Sequence, residues 1–315
     1  MANLEKLTSN KHFEGALTKY KFKSAALGGL DAKFNLFLPA NAAHEKVPML
    51  TYLAGLTCTE DNGAEKGGFM RDASAEGIAI IFPDTSPRGA GIEGEQDDWD
   101  FGIGSSYPVT IFFSCLLTSS TTTAAAGWYL DATHPKWAKH YMMFTHVTQE
   151  LPQVIEAAGL PVDLSRQSIF GHSMGGHGAL VVYLTSVLSG ANTYRSCSAF
   201  APICAPSIAP WGIKAFSGYL AGGVEEGRES YDASLLIGRV KGPVNILIDY
   251  GTSDNFAMQL SPDVFLRAAR EAGFDEHRVR VRGHDGYGHN YYFIATFGSA
   301  HIQYHARILK GGDVV

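Results

Sequence analysis

One serine of the sequence stands in a pattern that suits nucleophilic chemistry. Ser173 is the middle residue of Gly-His-Ser-Met-Gly at positions 171–175, which follows a short apolar run and opens a stretch rich in Gly and Ala. A serine hydroxyl is a weak nucleophile near neutral pH, so it needs a base, an acid that orients this base, and donors for the oxyanion. Gly171 and Gly175 fit a tight turn across which side chains would collide. The pattern predicts a nucleophile elbow for acyl-transfer chemistry.

A base and an acid follow the serine in the order that such elbows require. Asp254 lies in the loop after the apolar run 244–250, and His289 stands further on, between glycines, in Gly-Tyr-Gly-His-Asn. The order serine, acid, histidine is typical of sheet-based serine hydrolases. Asp285 is an alternative acid because it is close to His289 in sequence, but it lies outside the loop at the strand end. We therefore predict Ser173, Asp254 and His289 as the catalytic triad.

The donors for an oxyanion are expected from two backbone amides. One should belong to the residue after the nucleophile, and the other to the loop after an early strand. Met174 follows Ser173, and the loop Gly-Leu-Thr-Cys at positions 55–58 follows the apolar run 49–53. We predict the amides of Leu56 and Met174 as the oxyanion hole.

The elements that must position these residues alternate along the chain. Four apolar runs each end at a glycine or a proline, which is typical of buried strands that meet loops: 49–53, 78–82, 168–170 and 244–250. Helical spacing is found at 142–158, 175–188 and 262–272. This alternation predicts an α/β fold with a mostly parallel sheet covered by helices on both faces. Near the N-terminus, residues 17–23 and 32–38 are expected to pair as antiparallel strands at a sheet edge.

Composition excludes several classes of protein. The 315 residues, 45% hydrophobic and 18% charged, suit one large globular domain. A net charge of -6 gives no positive field for nucleic acid. The first residues lack the apolar core of a signal peptide, no apolar run reaches the roughly 20 residues of a membrane span, and four cysteines show no metal spacing. We expect a soluble cytoplasmic protein that binds neither nucleic acid nor membranes.

Several long motifs, in a fixed order along the chain, resemble those of one known family. They are GLTCTE at 55–60, PDTSPRG at 83–89, WDFG at 99–102, GHSMGGHG at 171–178, AFAPIC at 199–204, PWG at 210–212 and YYFIATF at 291–297. Through most of its length the chain resembles the S-formylglutathione hydrolases, also called the esterase D family, which have the α/β-hydrolase fold.

The resemblance implies an activity and a set of residues. It implies a thioesterase that hydrolyses S-formylglutathione to formate and glutathione in formaldehyde detoxification, without a cofactor and commonly as a homodimer. The family's triad falls on Ser173, Asp254 and His289, and its thiol-sensitive cysteine falls on Cys58. Since glutathione carries two carboxylates, polar or cationic groups are expected at the mouth of the site. The candidate substrate contacts are Thr57, Cys58 and Trp211, with Lys214 beside them.

Other interpretations of the same residues remain open. A broad carboxylesterase would use the same triad on oxygen esters, a related acyltransferase would pass the acyl group to a sugar, and a silent binding protein would keep the fold without the chemistry. His301 and His305 have the i, i+4 spacing of a metal pair, but no glutamate follows His301, so no metal is expected.

One segment has no counterpart in the family. Residues 105–126 are rich in Ser, Thr and Ala and contain no charged residue. The family passes almost directly from the Phe-Gly motif at 101–102 to the stretch at 127–133. We interpret 105–126 as an insertion, either at the protein surface or as a translated intron, into an otherwise single domain.

Overall fold

A nine-stranded sheet forms the centre of the molecule. The computed structural model describes residues 4–103 and 126–312. In space the strands follow the order β1-β2-β3-β5-β4-β6-β7-β8-β9. Their bounds are β1 (Glu5–His12), β2 (Gly15–Ser24), β3 (Leu30–Leu38), β4 (Val47–Leu53), β5 (Ala79–Pro83), β6 (Val162–His172), β7 (Tyr194–Phe200), β8 (Ile246–Gly251) and β9 (Val279–His284).

The sheet is parallel where its strands are buried. The strands from β5 to β9 pair in parallel, while β1, β2 and β3 form an antiparallel extension that joins β5. Every residue of β4 and β5 is buried, as expected for strands covered on both faces, whereas β1 is exposed along almost its whole length. The predicted mostly parallel sheet is confirmed. The predicted pair at 17–23 and 32–38 forms, but β1 lies outside it and is the true edge.

Helices fill the connections between the parallel strands. They are α1 (Glu60–Lys66), α2 (Met70–Glu76), α3 (Met143–Thr145), α4 (Leu151–Ala157), α5 (Met174–Leu188), α6 (Pro210–Tyr219), α7 (Gly223–Ser230), α8 (Ala233–Leu236), α9 (Ala257–Leu260), α10 (Pro262–Glu271) and α11 (Tyr291–Leu309). A π-helical turn, His146–Glu150, joins α3 to α4, so the predicted helix at 142–158 is present with a local change of pitch. Within 4–103 and 126–312, none of the helices is both long and apolar enough to cross a membrane.

The two longest helices pack on opposite faces of the sheet. Neighbouring residues of a strand point to opposite faces. On β7, the hydroxyl of Ser198 contacts His305 of α11 at 2.7 Å, whereas a Cβ added to Gly176 of α5 would lie 3.3 Å from the Cβ of Ala199. Since Ser198 and Ala199 are adjacent, α11 covers one face of β7 and α5 covers the other.

Strand β7 was not predicted, because its sequence is not a continuous apolar run. It carries Arg195, Ser196 and Ser198 among its seven residues, although Ser196 and Ser198 are fully buried. Both hydroxyls are hydrogen-bonded to histidines of α11, at 2.7 and 2.8 Å. A buried strand can carry hydroxyl groups where the facing helix supplies partners for them.

The described parts of the chain on the two sides of the gap at 104–125 come together. Gly102 and Ala126 form an antiparallel bridge, in which the Ala126 amide donates to the Gly102 carbonyl at 2.9 Å. The Tyr219 hydroxyl accepts from the Gly102 amide at 2.7 Å and donates to the Ala126 carbonyl at 2.9 Å. Apart from Ala126, the predicted insertion at 105–126 lies outside the described residues.

Candidate active site

The site lies where the sheet order reverses. Strand β4 is flanked by β5 on one side and by β6 on the other, so the loops that follow β4 and β6 leave in opposite directions. In open α/β sheets such a reversal leaves a crevice at the carboxyl ends of the strands. The loop Gly55–Cys58 follows β4, and Ser173 follows β6, so both sequence motifs meet in this crevice.

Ser173 occupies a strained turn between β6 and α5. Its φ of 58° and ψ of -120° are unfavourable for a residue with a side chain, and its amide donates to the Phe200 carbonyl at 2.9 Å. A Cβ on Gly175 would lie 2.0 Å from the Leu53 carbonyl oxygen, and one on Gly171 would lie 2.2 Å from the Gly175 carbonyl oxygen. Both glycines are therefore required for the close approach of β4 to the elbow, and Ser173 is held at the N-terminal end of α5.

The side chains of Asp254 and His289 form a hydrogen bond next to the serine. The Nδ1 atom of His289 lies 2.7 Å from Oδ2 of Asp254, whose side chain is fully buried. The other carboxylate oxygen, Oδ1, accepts from the Phe256 amide at 2.7 Å. With Nδ1 directed at the carboxylate, the neutral imidazole carries its proton on Nδ1 and leaves Nε2 free to accept a proton.

The alternative acid, Asp285, is placed elsewhere. It is exposed, and its carboxylate accepts from the Thr252 hydroxyl at 3.1 Å. The Ser253 amide donates to the Tyr287 carbonyl at 3.0 Å, and this bond joins the loop of Asp254 to the loop of His289. The structure thus brings Asp254, and not Asp285, into contact with the histidine.

A small cavity of about 40 Å³ connects the serine and the histidine. Aromatic rings make up much of its wall. The lining residues are Gly55, Leu56, Cys58, His172, Ser173, Trp211, Phe256, His289, Asn290 and Tyr291. Ser173 and His289 therefore face one space, together with the predicted contacts Cys58 and Trp211; Thr57 lies between two lining residues.

The His289 ring is held between two other rings. His172 lies 4.6 Å from it and Phe256 lies 4.9 Å from it, measured between ring centroids. Burial, and then the proximity of His289, hold the pKa of His172 well below its usual value, so His172 stays neutral beside His289. Phe256 and Tyr291 in this wall were not predicted from the sequence, although Phe256 follows Asp254 by two positions.

The loop Gly55–Cys58 contacts the elbow directly. A Cβ on Gly55 would lie 3.1 Å from the Ser173 Cβ, so this backbone passes beside the nucleophile. Leu56 is buried, and Met174 is the first residue of the fifteen-residue helix α5. Backbone amides at a helix N-terminus stabilise a developing negative charge. Gly55, which precedes Leu56, thus lies against Ser173, and Met174 follows Ser173 directly in the chain; the oxyanion hole of the Leu56 and Met174 amides stays a prediction.

Two charged residues near the site are already paired. Lys214 contacts Asp98 at 3.1 Å and Asp100 at 2.5 Å, so its charge is compensated within the protein and it is a poor anchor for a substrate carboxylate. Arg88 binds both oxygens of Asp84, at 2.6 and 2.8 Å.

The histidine pair of α11 belongs to a buried hydrogen-bond chain. His301 contacts Asp249 at 3.2 Å and Ser198 at 2.8 Å, and His305 contacts Ser198 and Ser196. Asp249 also accepts two bonds from Arg282. The partners of both histidines are therefore hydroxyls and one carboxylate. Over the part of the chain that the structure describes, no group of three or more His, Cys, Asp or Glu residues is arranged to hold a metal ion.

The buried histidines make stability depend on pH. Burial lowers the pKa of His177 to about 4, and it also lowers the pKa of His172, His301 and His305. In the unfolded chain a histidine titrates near pH 6.5, so below about pH 6.5 the unfolded state binds protons that the folded state does not. Lowered pKa values stabilise the fold above about pH 6.5, and this stabilisation is lost as the pH falls toward 4.

We therefore expect the free energy of unfolding to fall between about pH 6.5 and about pH 4, by about 1.4 kcal/mol per pH unit for His177, with the lowered pKa values of the other three histidines adding to the fall. Urea unfolding at a series of pH values measures this slope. The His177→Gln variant should have a shallower slope, while His277→Gln, at an exposed position, should keep the wild-type slope. Equal slopes in all three proteins would contradict the prediction.

The fold and the arrangement of the site define an enzyme of the α/β-hydrolase class, an esterase. A family model described as Putative esterase matches residues 24–112 and 116–305. The chain is 44% identical over 311 residues to the S-formylglutathione hydrolase of Rattus norvegicus, with 98% of this chain and 99% of the relative covered. The chain belongs to the S-formylglutathione hydrolase family of esterases.

Further relatives extend this likeness across kingdoms. The S-formylglutathione hydrolase of Arabidopsis thaliana is 41% identical over 312 residues, with 98% of this chain and 99% of the relative covered. A solved structure of an S-formylglutathione hydrolase from Agrobacterium tumefaciens superposes with a TM-score of 0.84 at 38% identity, covering 97% of this chain and 99% of that chain. A ferulic acid esterase, 19% identical with a TM-score of 0.60 over 95% of this chain and 100% of its own, shares the fold.

Proposed function

We propose that this chain hydrolyses S-formylglutathione to glutathione and formate, a step of formaldehyde detoxification, with Ser173 as the nucleophile. The observation that carries the proposal is the contact of His289 Nδ1 with Asp254 at 2.7 Å, beside a cavity that His289 shares with Ser173. The family relationship supports the choice of substrate, because relatives at 41 to 44% identity over 99% of their length bear this name.

In the first half of the reaction, the Ser173 oxygen attacks the formyl carbon while its proton passes to Nε2 of His289. Asp254 holds the imidazole in the required tautomer and stabilises the imidazolium. The amides of Leu56 and Met174 donate to the oxyanion. When the tetrahedral intermediate collapses, the carbon–sulfur bond breaks, glutathione leaves with the proton from His289, and a formyl ester remains on the serine.

In the second half, water releases the formyl group. Nε2 of His289 takes a proton from the water as its oxygen attacks the formyl ester. Collapse breaks the bond to the Ser173 oxygen, which recovers its proton from His289, and formate leaves. The thiolate of glutathione is a good leaving group, so we assign the larger barrier to this hydrolytic half.

The size of the cavity predicts selectivity for short acyl groups. A volume of about 40 Å³ leaves room for a group of about the size of formyl, since one water already needs on the order of 10–15 Å³ by this measure. We expect kcat/KM to fall from formyl to acetyl to propionyl thioesters of glutathione, by about 10-fold or more for each added carbon. Spectrophotometric assay of the three thioesters measures the series.

The same assay separates the thioesterase from a broad carboxylesterase. The rings of Trp211, Phe256 and Tyr291 in the cavity wall would also accept an apolar ester, and this favours the carboxylesterase as a second candidate. Nitrophenyl esters with the same acyl groups serve as the comparison. A higher kcat/KM on nitrophenyl formate than on S-formylglutathione would assign the chain to the second candidate.

The contacts to the substrate are also part of the proposal. Trp211 packs against Phe256 at a centroid distance of 5.0 Å, and Cys58, in the loop after β4, lines the same cavity. We assign Thr57, Cys58 and Trp211 to contacts with the acyl group and the adjoining part of the thioester. Since Lys214 is paired with two aspartates, we leave it out of this set.

A cytoplasmic location and a homodimer complete the proposal. The buried thiols of Cys197 and Cys204, which form no disulfide within the described residues, suit a reducing compartment. Exposed apolar side chains, with Met258 84% and Tyr292 77% accessible, offer surface for a second copy. A molar mass in solution equal to that of one chain would exclude the dimer.

The continuous sheet supports a single domain, and we retain 105–126 as an insertion into this domain. An uninterrupted coding exon across this segment would show that it is part of the protein and not a translated intron.

A further inference from the structure

The oxyanion loop, defined as Gly55–Cys58, is not held by regular secondary structure. It lies between the end of β4 and the start of α1, and one backbone bond within it runs from the Cys58 amide to the Gly55 carbonyl at 3.3 Å. Thr57 has a φ of 69°, in the left-handed region that disfavours a β-branched residue. A strained loop keeps its shape only where its surroundings hold it.

Tyr129 holds the loop at its N-terminal end. Its hydroxyl donates to the carbonyl oxygen of Ala54 at 2.9 Å, and its ring is fully buried. Burial raises the pKa of Tyr129 well above its usual value, so the hydroxyl keeps its proton and remains a donor. The ring packs on α5, because a Cβ on Gly178 would lie 2.6 Å from it. Tyr129 thus connects the loop to the helix that begins at the nucleophile.

Thr85 and Arg88 hold the loop at its C-terminal end. The Thr85 hydroxyl and the Arg88 guanidinium both donate to the Cys58 carbonyl oxygen, at 2.5 and 3.1 Å. Arg88 is itself fixed by Asp84 through two bonds. The Cys58 carbonyl therefore uses both of its lone pairs.

These contacts lie on both sides of Leu56 along the chain, at Ala54 and at Cys58. A donor in an oxyanion hole acts only within a narrow range, about 2.7–3.1 Å from the developing charge, and the loss of one donor costs about 100- to 1,000-fold in kcat. We propose that Tyr129 and Thr85 are positioning residues that fix the oxyanion loop from its two ends and so set the direction of the Leu56 amide. The proposal rests on the proposed serine mechanism and adds two residues to it.

Single-hydroxyl variants test the proposal. Tyr129→Phe and Thr85→Val remove one hydroxyl each with little change in shape, and Thr85→Ser keeps the hydroxyl. We expect kcat to fall about 10-fold or more in Tyr129→Phe and Thr85→Val, with KM changed less than about 3-fold, because the loop donor acts mainly in the transition state. Thr85→Ser should retain kcat within about 3-fold of the wild type.

Tyr183 supplies the matched control. Its buried hydroxyl accepts from the Asn245 amide at 2.8 Å, and Tyr183 does not line the cavity. Tyr183→Phe should lower the melting temperature as Tyr129→Phe does but leave kcat unchanged. A trifluoromethyl ketone, which forms a tetrahedral adduct with an active serine, should lose affinity in Tyr129→Phe and Thr85→Val in parallel with kcat/KM.

The test of the positioning role can fail or succeed separately from the test of the proposed substrate. Each variant is compared with the wild type on whichever substrate the wild type hydrolyses, so failure on S-formylglutathione overturns the substrate and leaves the positioning test intact. Wild-type kcat in Tyr129→Phe and Thr85→Val, or an equal loss in Tyr183→Phe, would overturn the positioning role. Should Tyr129→Phe fail to fold, the pair Thr85→Val and Thr85→Ser decides.

Discussion

Replacement of Ser173 by alanine is expected to lower kcat by about 10⁴- to 10⁶-fold while the protein stays folded. The hydroxyl supplies the covalent step, and loss of a nucleophile that acts together with its base removes the contribution of the whole triad. What remains is the small rate that oxyanion donors and substrate binding give to direct attack by water. Single-turnover and steady-state assays with S-formylglutathione measure the effect.

The alanine variant has a convenient control on the same helix. Ser189→Ala removes the hydroxyl of an exposed residue that donates to the Ser186 carbonyl at the end of α5, and it should keep wild-type kcat. A fluorophosphonate probe should label the wild type and Ser189→Ala but not Ser173→Ala. Near wild-type turnover by Ser173→Ala would refute Ser173 as the nucleophile, and an unreactive wild type would point to a silent binding protein.

The second large effect is expected from Asp254→Asn, which should lower kcat by about 10³- to 10⁴-fold. The amide no longer stabilises the imidazolium, and it favours the tautomer of His289 in which Nε2 carries the proton and cannot act as base. KM should change little, because Asp254 is fully buried and does not line the cavity. Steady-state kinetics over a range of pH measure both constants.

Asp285→Asn serves as the matched control for this prediction. Both variants replace one carboxylate by an amide in loops near His289, but Asp285 contacts Thr252 at the surface. We expect kcat of Asp285→Asn within about 2-fold of the wild type. A larger loss in Asp285→Asn than in Asp254→Asn would transfer the role of the acid to Asp285.

Much of the site could be predicted because its signals are local. The elbow needs a glycine at two fixed positions, since the Leu53 and Gly175 carbonyls leave no space for a Cβ. Apolar runs such as β4 and β5 reveal buried strands directly, and the ends of parallel strands meet at one edge of the sheet. The order of Ser173, Asp254 and His289 then follows from the order of the strands.

The remaining features depend on contacts between residues far apart in the sequence, which no local pattern indicates. The hydroxyls of β7 are buried because α11 supplies histidines about 107 positions later, so propensity alone does not reveal this strand. Lys214 is neutralised by Asp100, which lies 114 positions earlier. Tyr129 and Ala54 are 75 positions apart. Such pairs become visible only when the sheet has brought their elements together.

The bridge between Gly102 and Ala126 has a consequence for variation in chain length. Because Tyr219 binds both residues, the two ends of the intervening segment are fixed to each other whatever number of residues joins them. Each doubling of a flexible connection costs only about 0.6 kcal/mol in closure entropy. Tyr129, three residues beyond Ala126, keeps its hydrogen bond to the Ala54 carbonyl whatever the length of the segment. We therefore expect this point of the chain to tolerate insertions. A reporter or an affinity tag could replace the native segment here while the esterase keeps its fold.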